Sequence, residues 1–150
     1  MILNRQRRIP LAVKSLARFS ELVQRELGFP DESVTICFVS DPVMARMNRK
    51  FRDKQGPTDV LSFPARHARA RRSRSGPRAM QAGPDHYMGD VVISPETARR
   101  YARRRSHGLA SELRVLILHG MIHLAGYDHE NDNGQMMHLE RRLRRRLGLR

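Results

Sequence analysis

Residues 109–129 read LASELRVLILHGMIHLAGYDH, and this stretch decides how the rest of the chain is arranged. Apolar residues occupy nearly every side of a 3.6-residue period over residues 109–125, which predicts a helix that is buried almost all round. Gly126 follows the last apolar residues, where helices commonly end in a left-handed glycine. We therefore expect a central helix with the other elements packed around it.

The same stretch contains three histidines, His119, His123 and His129, in an H-x3-H-x5-H pattern. Four helical residues advance about 400° in rotation and roughly 6 Å in rise, so His119 and His123 lie on one face, one turn apart. A turn at Gly126 can bring His129 back to them. Three protein ligands leave a tetrahedral zinc ion one open position for water, which is the catalytic arrangement. The one cysteine, Cys37, is far away in sequence.

A metalloprotease is the obvious alternative, because the zincin motif also places two histidines at i and i+4 and a third farther on. In that motif a glutamate follows the first histidine directly and acts as general base. Here the residue after His119 is Gly120. Without the carboxylate a peptidase mechanism lacks its proton acceptor, so the sequence disfavours proteolysis.

Length and composition indicate one cytoplasmic domain that binds a polyanion. The chain has 150 residues, with 29 Lys+Arg against 15 Asp+Glu and a formal net charge of +14. An arginine-rich surface of this kind is expected to bind nucleic acid in a salt-dependent way, although a solvated arginine-rich surface without a ligand is the plainer interpretation. The single cysteine suits a reducing compartment, and we expect neither a signal peptide nor a membrane span.

The remaining periodicity predicts a single α/β (α+β) domain. We expect a small mixed sheet of about four strands, packed with helices, with the metal at one end of the central helix. Asp41 is predicted to be the N-cap of its helix, with Pro42 at the first helical position. Helices are predicted over residues 11–27, 41–51, 94–105 and 135–149, and strands over 33–40, 60–63 and 88–94.

The segment from Ala65 to His86 departs from this pattern. It contains six arginines among scattered Gly, Pro, Ser and Ala, and it has no apolar period. This composition predicts a long mobile loop that is either disordered or ordered only on a partner. RNA is one such partner.

Residues 119–129 resemble the H-G-x-L-H-L-x-G-Y-D-H signature of the YbeY family, the bacterial rRNA maturation factors regarded as metal-dependent endoribonucleases. Asn48, Phe51 and Arg52, followed by PTDVLSFP at residues 57–64, resemble the second block of this family, and GDVVIS at residues 89–94 resembles the third. The three blocks occur in the family's order. The basic segment before His86 is longer than the family leads us to expect.

The resemblance implies that His119, His123 and His129 hold one zinc ion per chain, and that Arg52 is the arginine beside the metal in the substrate cleft. It implies a zinc-dependent, single-strand-selective endoribonuclease acting in 16S rRNA maturation and ribosome quality control. Its partners would be RNA, the small ribosomal subunit and ribosome-assembly proteins, with no membrane. A different class stays open: a ribosome-associated RNA-binding assembly factor in which the metal mainly holds the fold.

Three aspartates near the matched blocks are further candidates. We predict that Asp128 either orients a ligand histidine or acts in proton transfer, and Asp59 and Asp90 are open to the same roles. Each also has a plain structural interpretation as a turn or strand-start residue. The remaining four histidines lack ligand spacing and receive no role: His67, His86, His107 and His138.

Overall fold

A computed structural model of the chain describes residues 1–65 and 87–149. These residues form four strands, β1 (Ile2–Asn4), β2 (Val34–Phe38), β3 (Val60–Pro64) and β4 (Gly89–Ile93), and five helices, α1 (Val13–Glu26), α2 (Asp41–Arg52), α3 (Pro95–Arg104), α4 (Leu109–Leu124) and α5 (Gln135–Arg146). None of the helices described is long and apolar enough to cross a membrane.

The four strands form one mixed sheet in the order β1-β2-β4-β3. β2 pairs in parallel with β1 and with β4, while β3 pairs antiparallel with β4. β3 therefore lies at one edge of the sheet, beside β4. The predicted mixed α/β sheet of about four strands is confirmed.

Successive side chains of each strand point to opposite faces of the sheet, and apolar residues are buried on both faces. In β2, Val34, Ile36 and Phe38 are buried in the main core, where helices α1, α3, α4 and α5 also contribute side chains. Val92 of β4 and Leu61 of β3 point the other way and pack under α2. The helix that carries His119 and the helix that ends at Arg52 thus cover opposite faces of the sheet.

Two local features differ from the sequence prediction. β1 was not predicted, because three residues are too short to show alternation; it exists because its backbone pairs with β2, from Ile2 opposite Ile36 onwards. The N-cap of α2 is Ser40, so the assignment of Asp41 to that position was wrong. Asp41 is the first helical residue of α2, and its side chain accepts hydrogen bonds from residues at the start of α3.

The carboxylate of Asp41 joins the starts of α2 and α3. It accepts hydrogen bonds from Ser94 Oγ at 2.5 Å, Thr97 Oγ1 at 2.7 Å and Arg100 Nη1 at 2.7 Å. A further hydrogen bond links the same two helices, since Glu96 Oε1 accepts from the backbone N–H of Asp41 at 3.1 Å. Burial raises the pKa of Asp41, but the hydrogen bonds from Ser94, Thr97 and Arg100 outweigh it and leave the pKa below its usual value.

The remaining predicted elements are present within one to three residues at each end, which is the usual uncertainty of helix and strand boundaries. The predicted mobile loop at 65–86 lies, from residue 66 onward, outside the described residues.

Candidate metal centre

The three histidines of the pattern meet at the C-terminal end of α4. His119 and His123 lie one turn apart on the helix, with their ring centroids separated by 4.8 Å. Gly126, at φ +102°, then reverses the chain, and its N–H donates to His123 O at 3.0 Å. His129 returns so that its ring stacks at 5.3 Å from that of His119. One ligand nitrogen from each histidine lies within 4.8 Å of the others, so the cluster could hold a metal ion.

The spacing of the two helical donors is compatible with one tetrahedral metal ion. Nε2 of His119 and Nε2 of His123 are 3.2 Å apart. Two imidazole nitrogens on one tetrahedral zinc, each at about 2.05 Å from the ion, would be separated by about 3.3 Å. His129 is exposed, whereas the other two histidines are half-buried. The two helical histidines are therefore the more enclosed part of the cluster, and the His129 side is open to solvent.

The outer nitrogens of the two helical histidines are already bound. Nδ1 of His119 lies 3.1 Å from Oε2 of Glu140, and Nδ1 of His123 lies 3.0 Å from the backbone oxygen of Tyr127. An acceptor at Nδ1 fixes the tautomer that carries its proton there and leaves Nε2 free as a ligand. For this reason Nε2 of His119 and Nε2 of His123 are both available at one position, 3.2 Å apart.

Glu140 is a site residue that the sequence prediction missed. It belongs to α5, and its second oxygen pairs with Arg144 one turn later at 3.4 Å. A signal was available: Glu140 is the one acidic residue of α5 and lies between Met136 and Leu143, the two residues of that helix that are buried. A lone carboxylate on the inward face of an arginine-rich helix indicates a partner in the core.

The pKa shifts of His123 and Glu140 favour the neutral imidazole and the ionised carboxylate. Burial lowers the pKa of His123, and the neighbouring His119 lowers it further. Burial raises the pKa of Glu140, but the hydrogen bond and charge of His119 overcome this and lower it below its usual range. A neutral imidazole and an ionised carboxylate are the forms that a metal ion and its outer shell require.

Gly120 is fixed by packing against the sheet. A Cβ built on Gly120 would lie 2.5 Å from Cγ1 of Val91 and 3.2 Å from Oγ of Ser62. Ser62 Oγ also donates a hydrogen bond to Gly120 O at 3.0 Å, so helix and strand are in direct contact here. A side chain at this position has no room, which excludes a zincin-type glutamate on steric as well as chemical grounds.

The two residues predicted to be catalytic occupy different surroundings. Arg52 is the last residue of α2 and is exposed; no hydrogen bond or ion pair among the described residues involves its side chain. Asp128 lies beside His129 and closes the turn, accepting from the backbone N–H of Glu130 at 3.1 Å and from Asn131 Nδ2 at 2.9 Å. These hydrogen bonds, that of Glu130 first, lower the pKa of Asp128.

The other two aspartates make local contacts. Asp59 Oδ1 accepts from the backbone N–H of Val60 at 2.8 Å, at the start of β3. Asp90 accepts a hydrogen bond from the hydroxyl of Tyr87, whose pKa is raised to about 12 by burial and then by this carboxylate.

Two histidines without a predicted role, His107 and His138, lie outside the metal cluster and are exposed. His67 and His86 fall outside the described residues.

Comparison with known proteins places the chain in one family. A family model described as Endoribonuclease YbeY matches residues 2–148. The chain is 37% identical over 149 residues to an "Endoribonuclease YbeY" of Koribacter versatilis, covering 99% of this chain and 86% of that protein. A relative of the same name from Solibacter usitatus is 37% identical over 147 residues, covering 95% of this chain and 86% of the relative.

The fold is also found in a solved structure. The solution structure of TM1509 from Thermotoga maritima superposes with a TM-score of 0.60 at 24% identity, covering 98% of this chain and 89% of that one. That likeness concerns the fold alone. With the family model matching almost the whole length, the chain belongs to the Endoribonuclease YbeY family.

Proposed function

We propose that this protein is a zinc-dependent endoribonuclease that cuts single-stranded RNA and acts in 16S rRNA maturation and ribosome quality control. The observation that carries the proposal is the donor set: three histidines converge, and the two on α4 have their outer nitrogens bound by Glu140 and Tyr127. Three ligands leave one coordination position for water or substrate, as in catalytic rather than structural zinc sites. The family name supplies RNA as the substrate class.

The ion would supply Lewis-acid polarisation of a phosphoryl oxygen and activation of the nucleophile. The side chains of the protein would hold and orient that ion. The rings of His119 and His123 lie at 79° to each other, and each ring is oriented by the acceptor at its Nδ1. His129 completes the ligand set from a turn at the surface. Because His129 is exposed, this side of the cluster is accessible to a long polymer such as RNA.

Arg52 is the proposed contact to the scissile phosphate. Its guanidinium is exposed and engages no carboxylate among the described residues. A guanidinium can form two parallel hydrogen bonds to phosphate oxygens and stabilise the charge that develops on them in the transition state. An arginine without a protein partner keeps its donors available for that purpose.

Asp128 has the role of positioning His129. Both of its oxygens accept hydrogen bonds within the turn of residues 128–131, so its carboxylate holds the loop in shape. Proton transfer is the second role that its place in the chain allows, since it directly precedes a ligand.

RNA cleavage is tested with a circular single-stranded RNA, which only an endonuclease can open, and with a duplex of the same sequence. Zinc-loaded parent protein should cut the circle and spare the duplex, while His119→Ala protein purified in parallel should cut neither. We expect Arg52→Ala to lower the cleavage rate by about 10²–10³-fold, as for loss of one transition-state donor. Arg46→Ala, an exposed arginine of the same helix outside the basic run of residues 49–54, is the matched control.

The outcomes separate the candidate functions. If the parent binds RNA and zinc but leaves the circle intact, the protein is an assembly factor with a structural metal. If Arg52→Ala cuts as fast as Arg46→Ala, Arg52 is not at the scissile phosphate. For the rRNA assignment, small subunits that carry precursor 16S rRNA are incubated with the protein and their ends are mapped; unchanged ends would contradict a role in maturation.

A further inference from the structure

Phe51 is an exposed aromatic residue that the metal centre does not use. The chain has five phenylalanines, and Phe19, Phe29 and Phe38 are at most 6% exposed. Phe51 is 54% exposed. It lies one residue before the end of α2, and its ring meets that of Phe63 in β3 edge to face, with centroids 5.0 Å apart and an interplanar angle of 73°. Phe63 therefore supports the ring while leaving much of it in solvent.

The surroundings of Phe51 are strongly basic. Residues 49–54 read RKFRDK, with four cations and one carboxylate, and all six are exposed. Lys50 Nζ lies over the Phe51 ring, 5.3 Å from its centroid, so a base that stacks on this face displaces the long, flexible side chain toward the neighbouring phosphate. No ion pair among the described residues engages any of these cations. An apolar protein partner would have to desolvate four unpaired charges here, whereas a polyanion with flat apolar groups satisfies both features.

The strand β3 connects this surface to the metal centre. Successive side chains of a strand point to opposite faces. Ser62 points to α4 and hydrogen-bonds to Gly120, the neighbour of His119, while Phe63 points to the α2 face and contacts Phe51. Because β3 is an edge strand, these two surfaces lie on either side of one sheet edge, and an RNA strand that passes around this edge would contact both.

We propose that the ring of Phe51, supported by Phe63, is a stacking platform for a nucleobase of single-stranded RNA, with Lys50 beside it for the adjoining phosphate. The inference rests on the proposed function and assigns it a base-binding position. Stacking of bases on aromatic side chains tolerates any sequence, since every base has a π-face, and it requires an unpaired strand. The platform thus gives a physical basis for single-strand selectivity that phosphate contacts alone do not give.

The test uses the fact that the chain contains no tryptophan. Phe51→Trp in the full chain creates a single fluorescent reporter at the platform. We expect its emission to be quenched by a short single-stranded uridine oligoribonucleotide, but neither by an abasic oligomer of equal length nor by a duplex. The affinity of this variant for the uridine oligomer should equal or exceed that of the parent, since tryptophan stacks at least as well as phenylalanine.

Affinity measurements on two further variants complete the test. Phe51→Ala and Phe51→Leu should bind the uridine oligomer about 5- to 100-fold more weakly than the parent, as expected for the loss of one stacked base. Phe51→Leu keeps an apolar contact to Phe63, so an effect in both variants reflects the lost π-face. Leu22→Ala removes an apolar side chain of similar exposure, 47%, on α1 and should leave affinity unchanged.

Unchanged affinity in Phe51→Leu, or equal quenching of Phe51→Trp by the abasic oligomer, would overturn the platform while leaving the endoribonuclease proposal intact. A parent chain that neither binds nor cuts single-stranded RNA would instead remove the proposed function, and the platform with it.

Discussion

Oε2 of Glu140 lies 3.1 Å from Nδ1 of His119, which joins the last helix to the metal centre. His119 is in α4 and Glu140 in α5, so the contact exists only when the two helices pack together. It orients the imidazole and supplies a negative charge behind it. A histidine held in this way presents Nε2 to a metal in one tautomer and one rotation.

Glu140→Gln should weaken zinc binding by about 10–100-fold, the usual effect of losing a carboxylate behind a ligand histidine. The amide keeps the shape of the side chain but removes the charge that stabilises the metal-bound imidazole. Competition with a zinc chelator measures the affinity directly. Glu21→Gln, at an exposed position of α1, is the matched control. Equal affinities for both variants would show that Glu140 has no part in the site.

His129→Ala should abolish the stabilisation of the protein by zinc. An ion that binds only the folded state, present at about 100 times its Kd, adds about 2.7 kcal/mol to the free energy of unfolding. Thermal unfolding with and without zinc should therefore show a higher midpoint for the zinc-bound parent. His138→Ala removes an exposed histidine outside the cluster and should retain the full zinc effect. A zinc-dependent rise that survives in His129→Ala would contradict the ligand assignment.

Gly120→Ala should destabilise the protein through Val91. The added Cβ meets Val91 Cγ1 at 2.5 Å. Overpacking costs about 1–3 kcal/mol, and the better helix propensity of alanine returns about 1 kcal/mol, so we expect a net loss of up to about 2 kcal/mol. Chemical denaturation of Gly120→Ala, Val91→Ala and the double variant measures the coupling. The double variant should be more stable than the sum of the single effects predicts, because Val91→Ala opens the space; strict additivity would refute the contact.

Asp41→Asn should lower stability near neutral pH and have less effect in acid. The folded-state pKa of Asp41 is depressed below its ordinary value of 3.8, so ionisation contributes stability that is present above that value and is lost as pH falls through the folded pKa. Near pH 7 we expect a loss of about 1–3 kcal/mol, because hydrogen bonds from Ser94, Thr97 and Arg100 lose their charged acceptor.

The measurement for Asp41 is the difference in unfolding free energy between parent and variant at a series of pH values. That difference should shrink as pH falls below about 4, where the carboxylate of the unfolded chain is protonated. Asp31→Asn, an exposed aspartate in the turn before β2, serves as control. A difference that stays constant across the series would mean that the charge of Asp41 contributes nothing.

The elements visible from the sequence were those whose own residues carry a period. The apolar run of α4 and the i, i+4 spacing of His119 and His123 are local, and Gly126 marks the helix end by its left-handed backbone. For that reason the central helix and the convergence of three histidines could be predicted. The argument against a zincin-type peptidase also depended on one residue, because Gly120 stands where that motif has its catalytic glutamate.

Only the tertiary structure decided the features that depend on contacts between distant residues. β1 is defined by its pairing with β2 and not by a pattern of its own. Glu140 reaches His119 across 21 positions of sequence, and Asp41 accepts hydrogen bonds from side chains at the start of a helix more than fifty residues later. Local propensity and spacing act within a few residues, whereas hydrogen bonds and packing between elements form only when the whole chain has folded. The contact from Glu140, which orients a proposed metal ligand, is of this second kind.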